Sequence, residues 1–184
     1  DAKYAIGLHA ASLIRDGGTL QIGIGQVGDA LAQGLIVRQR HNDVFRETLS
    51  RLVPGQPPQE SAPLETGLYG VSEMFFEAFL GLIEAGVLKR EIDGALLHAA
   101  FFLGPKSFYR ALREMPPEAI DRIRMVPVSF TNQLYGNEEA KRIARVDARF
   151  VNNAMMATLM GAVVSDGLDN GQVISGVGGQ YNFV

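Results

Sequence analysis

The stretch TLQIGIGQVGDALAQGLIV, residues 19–37, decides the fold class. Its first five residues, Thr19 to Gly23, read as a short buried strand. Glycines at 23, 25 and 28 then make a turn that runs into an apolar-periodic helix. Strand, glycine loop and helix in that order are the mark of an α/β unit. Upstream, AKYAIGLHAASLIRDGG repeats Tyr4, Leu8, Ala11 and Ile14 at helical spacing and stops at Gly17 and Gly18. Downstream, LLHAAFFLG and IRMVPVSF read as strands, with GPKSFYRALREMPP as a helix between them. SDGLDNGQ reads as a turn, VIS as a short strand and GVGGQ as a second glycine loop. The alternation predicts a mostly parallel sheet flanked by helices, in a single domain over residues 1–184. Residues 38–63 read as an insertion or loop. Their first half also fits a helix, and the prolines from Pro54 to Pro63 force the second half into a loop.

The totals remove several function classes. The 184 residues carry a formal charge of -3, which gives nucleic acid no electrostatic footprint. No apolar run approaches the roughly 20 residues that span a bilayer. Cysteine is absent, so disulfides and thiolate metal sites are excluded. The three histidines, His9, His41 and His98, are scattered, and no spacing suits zinc. No signal peptide is visible, and the expected location is cytoplasmic. The chain starts inside an amphipathic pattern and ends at YNFV, which reads as a strand beginning; a piece of a longer polypeptide is the expectation.

Three features can carry chemistry. The first is the glycine turn after residue 22, whose backbone N–H groups can approach a ligand closely. A dinucleotide site would also need an acidic residue ending a second strand about 20 residues on. That region is the polar RQRHNDVF instead, and a purely structural tight turn is the plainer reading. The second is Glu73 in ETGLYGVSEMFFEAF, residues 65–79. Here Leu68 to Val71 reads as a strand and Met74 to Ala85 as a helix, so Glu73 stands at the joint. It is either a first-turn acid capped by Ser72 or a partly dry carboxylate able to attack an acyl group. The third is SGVGGQYNF, residues 175–183, a run of exposed N–H donors or a flexible turn.

Taken in order, these motifs carry a resemblance. DG, TLQ and GIG, then GVSEM, LGPKSFY, FVNNA and SGVGGQ resemble the acetyl-CoA hydrolase/transferase family, which includes 4-hydroxybutyrate and succinyl-CoA:acetate CoA-transferases. The resemblance implies a CoA-transferase fold (the NagB/RpiA/CoA-transferase type), here incomplete, with residues 3–184 matching part of the second, C-terminal half. It implies Glu73 as the nucleophile and Asn132 as a nearby catalytic residue. The loop Gly176, Val177, Gly178 and Gly179 would bind CoA. Gln21, Gly23, Ile24 and Gly25 would line the acyl pocket. Coenzyme A would be a substrate, with no permanently bound cofactor and no metal. Acyl-CoA and small carboxylates would be the partners, in a homodimer. The chain departs from the pattern at Val71, where the family has histidine, at Gly28 for proline, and at Met156 and Thr158 for acids. Gln133 and Leu134 follow Asn132 where the family has proline in that segment. A CoA-transferase or acyl-CoA hydrolase working through a glutamyl-CoA thioester is the expected activity. An acyl- or nucleotide-binding domain without turnover and a sugar-phosphate isomerase-like domain are the alternatives.

Overall fold

The computed structural model describes residues 2–55, 59–176 and 178–179. Helix α1 (Ala2–Ala11) leads into β1 (Thr19–Ile22), followed by α2 (Gln26–Arg40) and α3 (Asn42–Leu52). Then come β2 (Tyr69–Phe75), α4 (Glu77–Glu84), β3 (Leu97–Phe102), α5 (Lys106–Glu114), α6 (Pro117–Ile120) and β4 (Ile123–Met125). Next are α7 (Val128–Asn132), α8 (Glu138–Ala144) and β5 (Arg149–Val151). Two short strands, β6 (Met156–Ala157) and β7 (Val163–Val164), form a separate antiparallel pair.

The five long-range strands form one parallel sheet in the order β4-β3-β2-β1-β5. The order runs outward from β1 through β2 to β4, and β5 then returns to the other side of β1. A reversal of that kind leaves a crevice at the carboxyl ends of the two strands on either side of it, where open α/β sheets bind ligands. Here those strands are β1 and β5. Leu20, Ile22, Leu97 and Ala99 join Leu31, Leu35, Phe45, Leu49, Phe79 and Leu82 in one buried core.

Several sequence expectations change. Strand β2 runs on to Phe75, because Met74 and Phe75 pair with Phe101 and Phe102 of β3; its following helix begins only at Glu77. Of the two readings of the first half of residues 38–63, the helical one holds: α2 runs to Arg40 and α3 spans Asn42–Leu52, since Phe45 and Leu49 anchor α3 in the core. IRMVPVSF divides at Pro127 into β4 and α7, because a residue before proline is steered away from helix and proline suits a helix start. VIS makes only an isolated bridge from Val173 to Gly167. Helix α1 ends at Ala11, and its inward face is Gly7 and Ala11, with Tyr4 turned outward. A Cβ on Gly7 would strike the Ala30 backbone, so α1 and α2 cross at near backbone contact. YNFV lies outside the described residues.

The segment between α3 and β2 is tied down at its far end. Arg38, 1% exposed, donates Nε to the Ala62 carbonyl at 2.7 Å and Nη1 to Ala11 and Ile14 at 2.9 and 2.6 Å. Asp16 accepts the backbone N–H groups of Gly17, Glu65, Thr66 and Gly67 at 2.8–3.0 Å. Burial alone would raise the Asp16 pKa, but these four hydrogen bonds outweigh it and hold the carboxyl below its ordinary value. Together they deliver the chain to the start of β2 in a fixed position.

Candidate active site

Glu73 lies within β2, two residues from its carboxyl end, on an interior strand of the sheet. It is therefore neither a helix first-turn acid nor preceded by a Ser72 cap: the Ser72 hydroxyl is buried and donates to the Ile22 carbonyl of β1 at 3.4 Å. Tyr69, Val71 and Glu73 alternate onto one face of the sheet. The β2–β3 register places Ala100 level with Glu73, since Ser72 pairs with Ala99 and Met74 with Phe101. On the other side Thr19 pairs with Tyr69 and Leu20 with Gly70, and continuing that register sets Gly23 level with Glu73. An alanine and a glycine thus flank the carboxylate, which leaves lateral room that larger side chains would fill.

The second glycine loop arrives over this recess. A Cβ built on Gly179 would stand 2.6 Å from the Glu73 carboxyl carbon and collide with both carboxylate oxygens, so only a glycine allows this approach. Gly178 adopts φ +56°, a left-handed turn that presents the next residue to the site. Burial raises the Glu73 pKa above its ordinary value. Gly176 has open space around its Cα, and Val177 lies outside the described residues.

The first glycine loop follows β1 directly. Gln21 is buried on the same face as Val71 and Glu73. Its Nε2 donates to Asn152 Oδ1 at 3.0 Å, and its Oε1 is buried with no hydrogen-bond partner among the described residues. Gly23 abuts Asn152 so closely that a Cβ would stand 2.6 Å from Asn152 Oδ1. Gly25, at φ +114°, faces Asn153, and Ile24 between them is 61% exposed. The structure therefore joins this loop to the two asparagines that follow β5, at the crevice between β1 and β5.

Asn132 ends α7, which packs on β2 and β3, and its Oδ1 is buried without a partner among the described residues. Helix α7 is fixed to the sheet by a polar cluster. The Tyr69 hydroxyl and His98 Nδ1 are 2.6 Å apart, and the His98 ring stacks on Phe130 at 4.9 Å between centroids. Burial pushes the Tyr69 pKa up to about 12, against Arg145 and Arg90. Burial, with Arg124 and Arg145, pulls that of His98 down. A protonated phenol therefore meets a neutral imidazole, and the imidazole tautomer sets which of the two donates. Lys141 donates to the Ser129, Gln133 and Tyr135 carbonyls, and Arg145 donates to those of Phe130 and Gln133.

Sequence reasoning missed Asn152 and Asn153 as site residues, although FVNNA is conspicuous for two adjacent asparagines closing an apolar pair. It also missed the Tyr69–His98 pair; their side chains meet only through the β2–β3 register. Among the described residues no group of three His, Asp or Glu side chains could hold a metal ion. Nor is any helix there long and apolar enough to cross a membrane.

Residues 104–184 match the acetyl-CoA hydrolase/transferase C-terminal domain. The likeness continues upstream of the matched segment, where Gln21 and Glu73 lie. Over 187 aligned residues the chain is 28% identical to a 4-hydroxybutyrate coenzyme A transferase from Clostridium kluyveri, covering 100% of this chain and 35% of that protein. Two solved structures of mutant forms of RipA share the fold. One has a TM-score of 0.62 at 21% identity, covering 94% of this chain and 32% of that one. The other has a TM-score of 0.60 at 20% identity, covering 90% and 31%. The chain spans about a third of the length of these relatives.

Proposed function

We propose that this chain carries the nucleophile of an acyl-CoA:carboxylate CoA-transferase or acyl-CoA hydrolase, and that the nucleophile is Glu73. The observation that carries the reading is the meeting of Glu73 with Gly179 in a recess flanked by Gly23 and Ala100. A carboxylate with a close backbone loop above it and small residues beside it can receive a thioester carbon. The name of the Clostridium kluyveri relative points to the same chemistry.

In this mechanism the ionised Glu73 oxygen attacks the thioester carbonyl. Backbone N–H groups of the Gly176–Gly179 loop offer hydrogen bonds to the developing oxyanion. Collapse breaks the C–S bond and gives a glutamyl–acyl anhydride and CoA thiolate. The thiolate then attacks the Glu73 carbonyl, releases the acyl group as a carboxylate, and leaves a glutamyl-CoA thioester. An incoming carboxylate reverses both steps in a transferase, and water takes its place in a hydrolase. Desolvation of Glu73 fits the role, because a carboxylate stripped of water is a stronger nucleophile once ionised. Asn132, whose buried Oδ1 has no partner among the described residues and whose helix packs against β2, is the candidate for steadying the reacting groups. The wider CoA site and the homodimer belong to this same reading.

The test uses the polypeptide that carries this chain. Incubation with acyl-CoA, borohydride trapping and peptide mass mapping should locate a CoA-dependent modification on the Glu73 peptide. Undiminished turnover in Glu73→Ala would remove the proposal.

A further inference from the structure

Gln21 presents a polarity that the nucleophile alone does not explain. Its side chain is buried, with 1% of its surface exposed, and one end of the carboxamide is already committed: Nε2 donates to Asn152 Oδ1. The other end, Oε1, is a buried acceptor with no partner among the described residues. A buried amide oxygen left unpaired costs about 1–3 kcal/mol, so such an atom is normally matched by a donor at some stage of a protein's working cycle. Gln21 stands on the same sheet face as Glu73, level with Val71, one step down the neighbouring strand. Asn152 is held in place by its own neighbours: it follows directly on β5, which pairs with β1, and the Gly23 N–H donates to the Val151 carbonyl at 2.8 Å. Gly23 has no side chain to push Asn152 away.

We propose that Asn152 is a positioning residue that locks the Gln21 carboxamide with its oxygen towards the Glu73 recess, so that the site selects substrates carrying an N–H or O–H donor beside the reacting thioester. This rests on the reading of Glu73 as the acyl-accepting group. Two parts of an acyl-CoA can supply such a donor. One is the amide N–H of the CoA arm, a two-carbon spacer from the sulfur and common to every acyl-CoA. The other is a hydroxyl on the acyl chain. As a fixed acceptor, Gln21 cannot stabilise an oxyanion, which separates its role from that of the Gly176–Gly179 loop.

The experiment measures kcat and KM, and by calorimetry Kd, for butyryl-CoA and 4-hydroxybutyryl-CoA. The proteins are the wild-type polypeptide carrying this chain and its Asn152→Leu, Asn152→Asp and Gln21→Leu variants, with melting temperatures as a fold check. An aspartate at 152 still accepts from Gln21 Nε2 and should stay within about threefold of wild type. Leucine at 152 and leucine at 21 should each raise KM and Kd about tenfold, the value of one hydrogen bond, with kcat little changed. Equal losses for both substrates assign the donor to the CoA arm. Losses confined to 4-hydroxybutyryl-CoA assign it to the acyl hydroxyl. If Asn152→Asp falls as far as Asn152→Leu, Asn152 is a donor to Gln21 and the proposal is overturned. It is equally overturned if neither leucine variant alters Kd. Because Kd needs no turnover, a failure of the Glu73 chemistry leaves this test standing.

Discussion

Replacing Gly179 by alanine adds one carbon directly against the Glu73 carboxylate. The new Cβ would stand 2.6 Å from the Glu73 carboxyl carbon, whereas carbon atoms settle at about 3.5–4.0 Å. Loop or carboxylate must therefore move by about 1 Å. Misplacing a reacting group by that distance costs on the order of a hundredfold in rate. Gly179→Ala is expected to lower kcat about a hundredfold while the melting temperature stays within a few degrees, since the loop lies outside the hydrophobic core. The assay is acyl transfer or hydrolysis followed by CoA release, with Glu73→Gln as the reference. In the Glu73→Gln background the alanine should cost nothing further, because both changes disable one event. A Gly179→Ala protein within threefold of wild type would refute the geometry on which the nucleophile rests.

Two other perturbations separate function from stability. Burial raises the Glu73 pKa, so the folded chain holds that proton to a higher pH than the unfolded chain, and stability falls as pH rises from about 4.3 through the folded value. Glu73→Gln should abolish turnover yet raise the melting temperature at neutral pH, with the gain vanishing under acid conditions below that window. Asp16 has the opposite sign. Its pKa is depressed, so its contribution is complete above about 3.9 and disappears as pH falls through the folded value. Asp16→Asn should cost about 1–2 kcal/mol in urea unfolding at pH 7 and almost nothing at acid pH.

The sheet and its first glycine loop were legible because residues 19–37 declare strand, turn and helix within one continuous segment. Glu73 was legible as a candidate but misplaced by local pattern. Met74, Phe75 and Phe76 read equally well as the start of a helix, and only pairing with Phe101 and Phe102 holds the first two in a strand. Tertiary pairing overrides propensity there. The break at Pro127 was written in the sequence, but the apolar run around it hid the signal. Asn152 was illegible for a different reason. Its meaning depends on Gln21, and the two meet only because β5 closes against β1.

That last pairing has a consequence for how the molecule comes into being. The second neighbour of strand β1, β5, follows it by more than a hundred residues. Closing so long a loop precedes any reward from the contacts it allows, which makes such pairings slow. Before β5 docks, that flank of β1 leaves N–H and C=O groups open to the wrong partner. The closure that ends this exposure also brings Asn152 to Gln21. Pairing of β5 against β1 thus covers that flank and assembles the crevice in the same step.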